Sequence, residues 1–189
     1  MTKTRKATYL ETMADVIRGC TKCPLWESRT IAVPGDGKYS SRVTIIGEAP
    51  GKEEDESGKP FVGSAGRYLD HVLEGTGLDR RDFFITNTVK CRPPKNRTPK
   101  SLEIKTCTSS YLFEQIELLN PKLIMLLGAV AAKAVLGLKS IGEARGRVIE
   151  KYGRRYIVGY HPAVRFYRED LGEKVKEDFA LLRQEAEKL

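Results

Sequence analysis

A chain of 189 residues with 40% hydrophobic and 31% charged side chains is too apolar for disorder and long enough for one compact domain, expected over residues 1–189. No apolar run approaches a membrane span, and the opening residues lack the apolar core of a secretion signal, so a cytoplasmic protein with no membrane partner is expected. The formal charge of +8 is a moderate excess whose placement matters more than its size.

That charge is clustered. Lys90, Arg92, Lys95, Arg97, Lys100 and Lys105 share one stretch, Arg145, Arg147, Lys151, Arg154 and Arg155 a second, Arg165 and Arg168 a third. Such clusters suit a phosphate backbone, although a solvated basic face would look the same. The abundance of Lys, Glu and Arg also fits a thermophile.

In chain order, Leu10, Met13, Ala14 and Ile17 have helical spacing and predict a helix over residues 7–19, stopped by Gly19. It runs into Cys20-Thr21-Lys22-Cys23-Pro24, a spacing that can aim two sulfurs at one metal, and residues 25–39 read as irregular. Val43 to Ile46 has the composition of a buried strand. It stops at Gly47-Glu48-Ala49-Pro50-Gly51, a turn where backbone can approach a ligand, followed by Glu53, Glu54 and Asp55. An ordinary acidic surface loop is the plain alternative. Phe61 then sits between turn residues and looks exposed. Ser64 can cap a helix with Leu69, Val72 and Leu73 inward and His71 on its surface, ending at Gly75 and Gly77.

Phe83 to Thr86 reads as a second strand, ending at Asn87. Thr98, with Pro99 at the first helical position, opens a long helix whose inward stripe includes Cys107, Tyr111 and Ile116. Leu123 to Leu127 is an unbroken apolar run suited to a strand buried on both faces, and an Ala-rich helix follows over residues 128–136. Two β-rich runs flank Gly153 and suggest a hairpin feeding a fourth strand, Tyr156 to Tyr160, which leads into His161-Pro162. A helix from about Gly172 closes the chain. Alternating strands and helices predict an α/β fold: a three-layer α/β/α sandwich around a mainly parallel sheet of about four strands. Ligands bind beyond the carboxyl ends of such strands, so Glu48, Asn87 and His161 should converge on one sheet edge.

The cysteines are Cys20, Cys23, Cys91 and Cys107, a CxxC pair followed by gaps of 67 and 15 residues. Structural disulfides are disfavoured in the cytosol, so a metal site using all four is the better reading, with buried or redox cysteines as the alternative. Zinc and a 4Fe-4S cluster both accept four thiolates, and there is no second CxxC to favour a zinc ribbon.

Together, Gly47-Glu48-Ala49-Pro50-Gly51, Lys59-Pro60-Phe61-Val62-Gly63, Thr86-Asn87-Thr88-Val89-Lys90-Cys91 and His161-Pro162-Ala163, in this order, resemble the motifs of the family 4 uracil-DNA glycosylases. The resemblance covers nearly the whole chain. It implies hydrolytic excision of uracil from single- or double-stranded DNA, leaving an abasic site, by a monomer that extrudes the nucleotide into a pocket. A sliding clamp is a conceivable partner, but no clear clamp-binding motif is present. The resemblance makes the four cysteines ligands of a 4Fe-4S cluster rather than of zinc. It also gives Phe61 as the stacking face, Asn87 as the reader of uracil's ring N–H and adjacent carbonyl, and His161 as the hydrogen-bond donor to the departing base.

The resemblance also suggests backbone amides at Glu48 and Ala49 as further base contacts. In family 1 an Asp occupies the position of Ala49, so water is left to be oriented by Glu48, by Glu54, or by nothing; Glu54 is alternatively a group that crowds the space thymine's methyl would need. Arg92, Lys95 and Arg97 are candidate phosphate contacts. Arg165 falls near the side chain that related enzymes push into the emptied duplex, although Ala163-Val164-Arg165-Phe166 departs from the better-known pattern. A related branch that is trapped covalently on DNA carries an extra basic loop with a His; here residues 90–107 hold no His, which favours turnover. A non-catalytic iron-sulfur module binding nucleic acid is the competing class. It explains the cysteines and the charge but not the gathering of Glu48, Phe61, Asn87 and His161.

Overall fold

The computed structural model describes residues 3–189; Met1 and Thr2, part of the opening stretch read above, lie outside it. Its centre is four parallel strands, β2 (Val43–Gly47), β3 (Phe84–Asn87), β4 (Leu123–Leu127) and β6 (Arg154–Gly159). Two antiparallel edge strands, β1 (Asp36–Gly37) and β5 (Val148–Lys151), complete the order β1-β3-β2-β4-β6-β5. The sheet is therefore mixed and six-stranded, not four-stranded. β5 is the first arm of the hairpin at Gly153. β1 escapes prediction because Asp-Gly has no strand composition; it pairs where Gly37 lies so close to Phe83 that a Cβ would meet the Phe83 carbonyl oxygen at 2.1 Å.

The pleat sorts the apolar residues into two cores. Val43, Ile45, Leu123, Met125, Leu127 and Ile157 face α3 (Ser64–Gly75) and α7 (Gly172–Ala186), whose Leu69, Val72, Leu73, Val175, Phe179 and Leu182 are buried as their spacing predicts. Ile46, Ile124, Leu126, Tyr156 and Val158 face the opposite layer, including Leu112, Ile116 and α6 (Ala129–Leu136). This is the expected three-layer sandwich. From β2 the chain crosses to β3 on one side and returns to β4 on the other, so the crevice beyond Gly47 is a topological switch point.

Helix boundaries depart from expectation where side chains other than the nearest capping type do the work. α1 spans Lys3–Arg18. The acidic turn after β2 is a short helix, α2 (Lys52–Ser57), and α3 is capped by Gly63 with Ser64 already helical. α4 (Ser101–Cys107) starts after Lys100 rather than Thr98, because Glu103 accepts the Lys100 amide at 2.6 Å. Its run into α5 (Phe113–Leu119) passes through a π-helical turn, Thr108–Leu112, directly after Cys107. Among the described residues no helix is long and apolar enough to cross a membrane.

Candidate active site

A cleft of about 540 Å³ opens beyond the strand ends, and Glu48, Ala49, Glu54, Phe61, Asn87 and His161 all line it. Strand register accounts for much of this convergence. Gly47 pairs with Asn87 at the ends of β2 and β3, Leu127 pairs with Gly159 at the ends of β4 and β6, and His161 follows two residues later. Gly47 forms part of the floor: a Cβ there would lie 2.4 Å from Asn87 Oδ1 and 2.5 Å from Phe61 Cζ, so both side chains close over bare backbone. Asn87 is buried and its Oδ1 has no hydrogen-bond partner. A buried carbonyl left this way costs stability unless a ligand supplies the missing donor.

Phe61 is buried rather than exposed, and its backbone takes a left-handed φ of 52°. That conformation is costly for an aromatic residue and persists only when its surroundings enforce it. Arg80, which pairs with Asp70 at 2.8 Å, donates to the carbonyls of Phe61 and Pro60 at 2.9 and 2.6 Å. Gly66 lets α3 approach the Phe61 carbonyl so closely that a Cβ would meet its oxygen at 2.0 Å. On the other side, Glu54 accepts the amides of Val62 at 2.9 Å, Gly63 at 2.7 Å and Gly51 at 3.0 Å. The Glu54 carboxylate, one of the two sequence candidates for orienting water, is thus tied to the loop that carries Phe61.

The Glu48 carboxylate, by contrast, has no hydrogen-bond or ion-pair partner among the described residues, and burial pushes its pKa above the usual carboxylate range. Its backbone carbonyl is held by the Val89 amide at 3.1 Å, which fixes the turn. His161 stacks on Phe61 with ring centroids 5.6 Å apart. Burial lowers its pKa to about 4, against a smaller opposing pull from Glu54, so it is neutral at pH 7. Its Nδ1 accepts the Ala163 amide at 3.2 Å, which places the ring proton on Nε2. Asp178 of α7 accepts the Tyr160 amide at 2.9 Å and anchors the start of this segment.

The four cysteines line one small cavity with Arg29, Lys90 and Tyr111. Arg29 donates to Cys91 Sγ at 3.1 Å and to the Cys20 and Arg18 carbonyls at 2.7 and 2.8 Å, while the Lys90 amide donates to Cys107 Sγ at 3.3 Å. Burial pushes the Cys107 thiol up to about 11, opposed by the charge of Lys90. N–H donors converging on sulfur suit thiolate ligands. Among the described residues no group of three or more His, Cys, Asp and Glu side chains is gathered so as to hold a metal ion.

Residues 34–186 match the family model described as the Uracil DNA glycosylase superfamily. A type-4 uracil-DNA glycosylase of Saccharolobus solfataricus is 43% identical over 185 residues, covering 93% of this chain and 85% of that protein. One from Pyrobaculum aerophilum is 41% identical over 183 residues, covering 91% and 92%. This chain belongs to the type-4 uracil-DNA glycosylases. A type-5 uracil-DNA glycosylase of Pyrobaculum aerophilum is more distant, 33% identical over 149 residues, covering 69% of this chain and 65% of that protein.

The basic residues of this glycosylase divide differently from the sequence reading. Lys90, the first residue of the first basic stretch, is fully buried. Arg97 forms a two-pronged pair with the buried Glu103 at 2.7 and 2.9 Å, and Arg92 bonds Asn96 at 2.7 Å; Lys95 is exposed. Arg165 is exposed and its guanidinium lies over the Tyr68 ring, 4.6 Å from its centroid. The second cluster is largely neutralised within the protein: Arg145 pairs with Glu177 and Asp178, Arg154 with Glu117, and Arg155 with Glu185. Sequence reasoning passed over Phe166 and Tyr167, which line the cleft and are 53% and 84% exposed. It also passed over Arg80, whose role depends on a carbonyl contact that has no residue-level signal.

Proposed function

We propose that the cleft binds an extruded uracil and that Asn87 reads it, as the site of the uracil excision named for this family. The observation that carries the reading is that Asn87 lines a cleft shared with Phe61 and a neutral His161, with its buried Oδ1 unpartnered among the described residues. Oδ1 accepts uracil's ring N–H and the Asn87 amide nitrogen donates to the adjacent carbonyl. Cytosine presents the reverse pattern and leaves both groups unpaired. Phe61 supplies the stacking face, held in place by Arg80 and Glu54.

In the reaction the bond between uracil N1 and the sugar C1′ breaks, and its electron pair leaves with the base. His161 Nε2–H donates to the carbonyl beside the departing nitrogen, where the charge collects; a neutral donor fits stabilisation without proton transfer. Water adds to C1′, and Glu48, the free carboxylate of the cleft, accepts its proton in place of the absent carboxylate at Ala49. Glu54 acts as the brace of the Phe61 loop. The exposed Phe166 and Tyr167, rather than Arg165, are the side chains placed to fill the gap in the duplex, and Lys95 with Arg92 faces phosphate.

Cys20, Cys23, Cys91 and Cys107 hold a 4Fe-4S cluster, the reading supported by four thiol donors around one cavity and by the cations beside them. When bound, the cluster supplies a covalent cross-link among the segments that carry these cysteines. The test of the whole reading is alkali cleavage of a labelled duplex bearing one uracil, beside the same duplex with thymine. Cleavage at uracil alone, lost in Asn87→Ala, is expected. No cleavage by iron-replete protein would favour the non-catalytic nucleic-acid module.

A further inference from the structure

Among the described residues Lys90 is the only buried basic side chain, and no carboxylate pairs with it. Its ammonium donates to Thr86 Oγ1 at 2.6 Å and to the Asn87 carbonyl at 2.8 Å. Its own amide donates to Cys107 Sγ at 3.3 Å, and its carbonyl accepts the Val33 amide at 2.7 Å. One residue therefore grips the peptide of Asn87 with its side chain and a cysteine sulfur with its backbone.

A buried cation without an acidic partner is an expensive way to fill space, and a methionine of similar length would fill it at less cost. The ammonium holds the carbonyl of a peptide whose N–H, from Thr88, donates to the Gly47 carbonyl of β2 at 2.9 Å. Asn87 is the last residue of β3, and among the described residues its side-chain oxygen has no hydrogen-bond partner to orient it. The Lys90 contact to the Asn87 carbonyl anchors the other end of that peptide, and the Lys90 amide meets Cys107 Sγ three residues on.

We infer that Lys90 is a positioning residue, which holds Asn87 in its reading geometry. The inference rests on Asn87 reading uracil, which Asn87→Ala alone tests. The role of Lys90 is separated from that reading by a double-mutant cycle with Lys90→Met in iron-replete protein. Single-turnover excision and affinity for a duplex carrying a non-cleavable 2′-fluoro-uracil are measured together with iron content and visible absorbance.

Lys90→Met is expected to keep its iron and to lose roughly 10–100-fold in excision rate, the cost of a small misplacement of a positioning group. In the Asn87→Ala background the same change should cost less than about twofold in both readouts, because its route is already gone. Equal losses in both backgrounds, or no loss beside an intact Asn87, would overturn the inference. If Lys90→Met does not fold or hold iron, Thr86→Val, which removes the hydroxyl partner of the ammonium, is measured in the same cycle and the same two results decide.

Discussion

The cleft and the cysteine cavity meet within one short segment, Asn87 to Cys91, yet they are finished in opposite ways. Around the cysteines, protein N–H groups from Arg29, Lys22 and Lys90 already approach Cys91, Cys20 and Cys107. In the cleft, Asn87 Oδ1 and the Glu48 carboxylate have no partner among the described residues, and His161 presents a proton on Nε2. The first arrangement suits a resident group whose charge is always present. The second suits a visitor, because groups satisfied by the protein would have to be freed each time a base entered.

The sharpest way to break this contrast is to remove a waiting group. Glu48→Gln should lower the excision rate by roughly 10²–10⁴-fold in a single-turnover assay, the range for loss of a positioned base. Since burial raises the Glu48 pKa, its carboxylate is protonated as pH falls through that raised value, and activity should decline on the acid side of neutrality. Glu48→Gln should remove that limb. His161, with a pKa of about 4, stays neutral from pH 5 to 8 and should contribute no slope there. His161→Ala should lower the maximal rate by roughly 10²–10³-fold with little change in KM, as for removal of one donor to a developing anion.

At the cysteine cavity the effect should fall on retention rather than on chemistry. Arg29→Ala is expected to raise the rate of iron loss to a chelator by about 10–100-fold, followed by visible absorbance. The smallest effect belongs to the rim. Lys95→Ala should leave excision at saturating DNA unchanged and lower the slope of log affinity against log salt by about 1, the signature of one lost phosphate contact.

Much of this contrast was legible in the sequence because it rests on local punctuation. Apolar runs ending at Gly47, Asn87 and Tyr160 announced the strand ends, and α/β geometry then implied that the residues beyond them meet. The spacing of Val175, Phe179 and Leu182 likewise announced the closing helix. What stayed hidden depends on partners distant in sequence. Nothing in the stretch around Lys90 distinguishes a buried ammonium from the exposed Lys95 five residues on. Arg165 looked free until Tyr68 came beneath it, and the cluster at Arg145 looked like a DNA surface until α7 and α5 supplied its carboxylates. Glu54 was a chemical candidate by type, and only the three amides around it reveal a brace. Phe61 lines the cleft and is buried where the sequence suggested exposure, since its left-handed backbone is imposed by Arg80 and Gly66.

The central claim is that an unpaired Asn87 amide reads the base. The most direct test compares base release from duplexes carrying a single uracil or a single cytosine, for the iron-replete protein and for Asn87→Ala, at matched iron content. The account predicts uracil release with no detectable cytosine release, and a loss of about 10³-fold or more on uracil in Asn87→Ala, the scale set by a site built around hydrogen bonding. Uracil release by Asn87→Ala within a few-fold of the parent protein would contradict it.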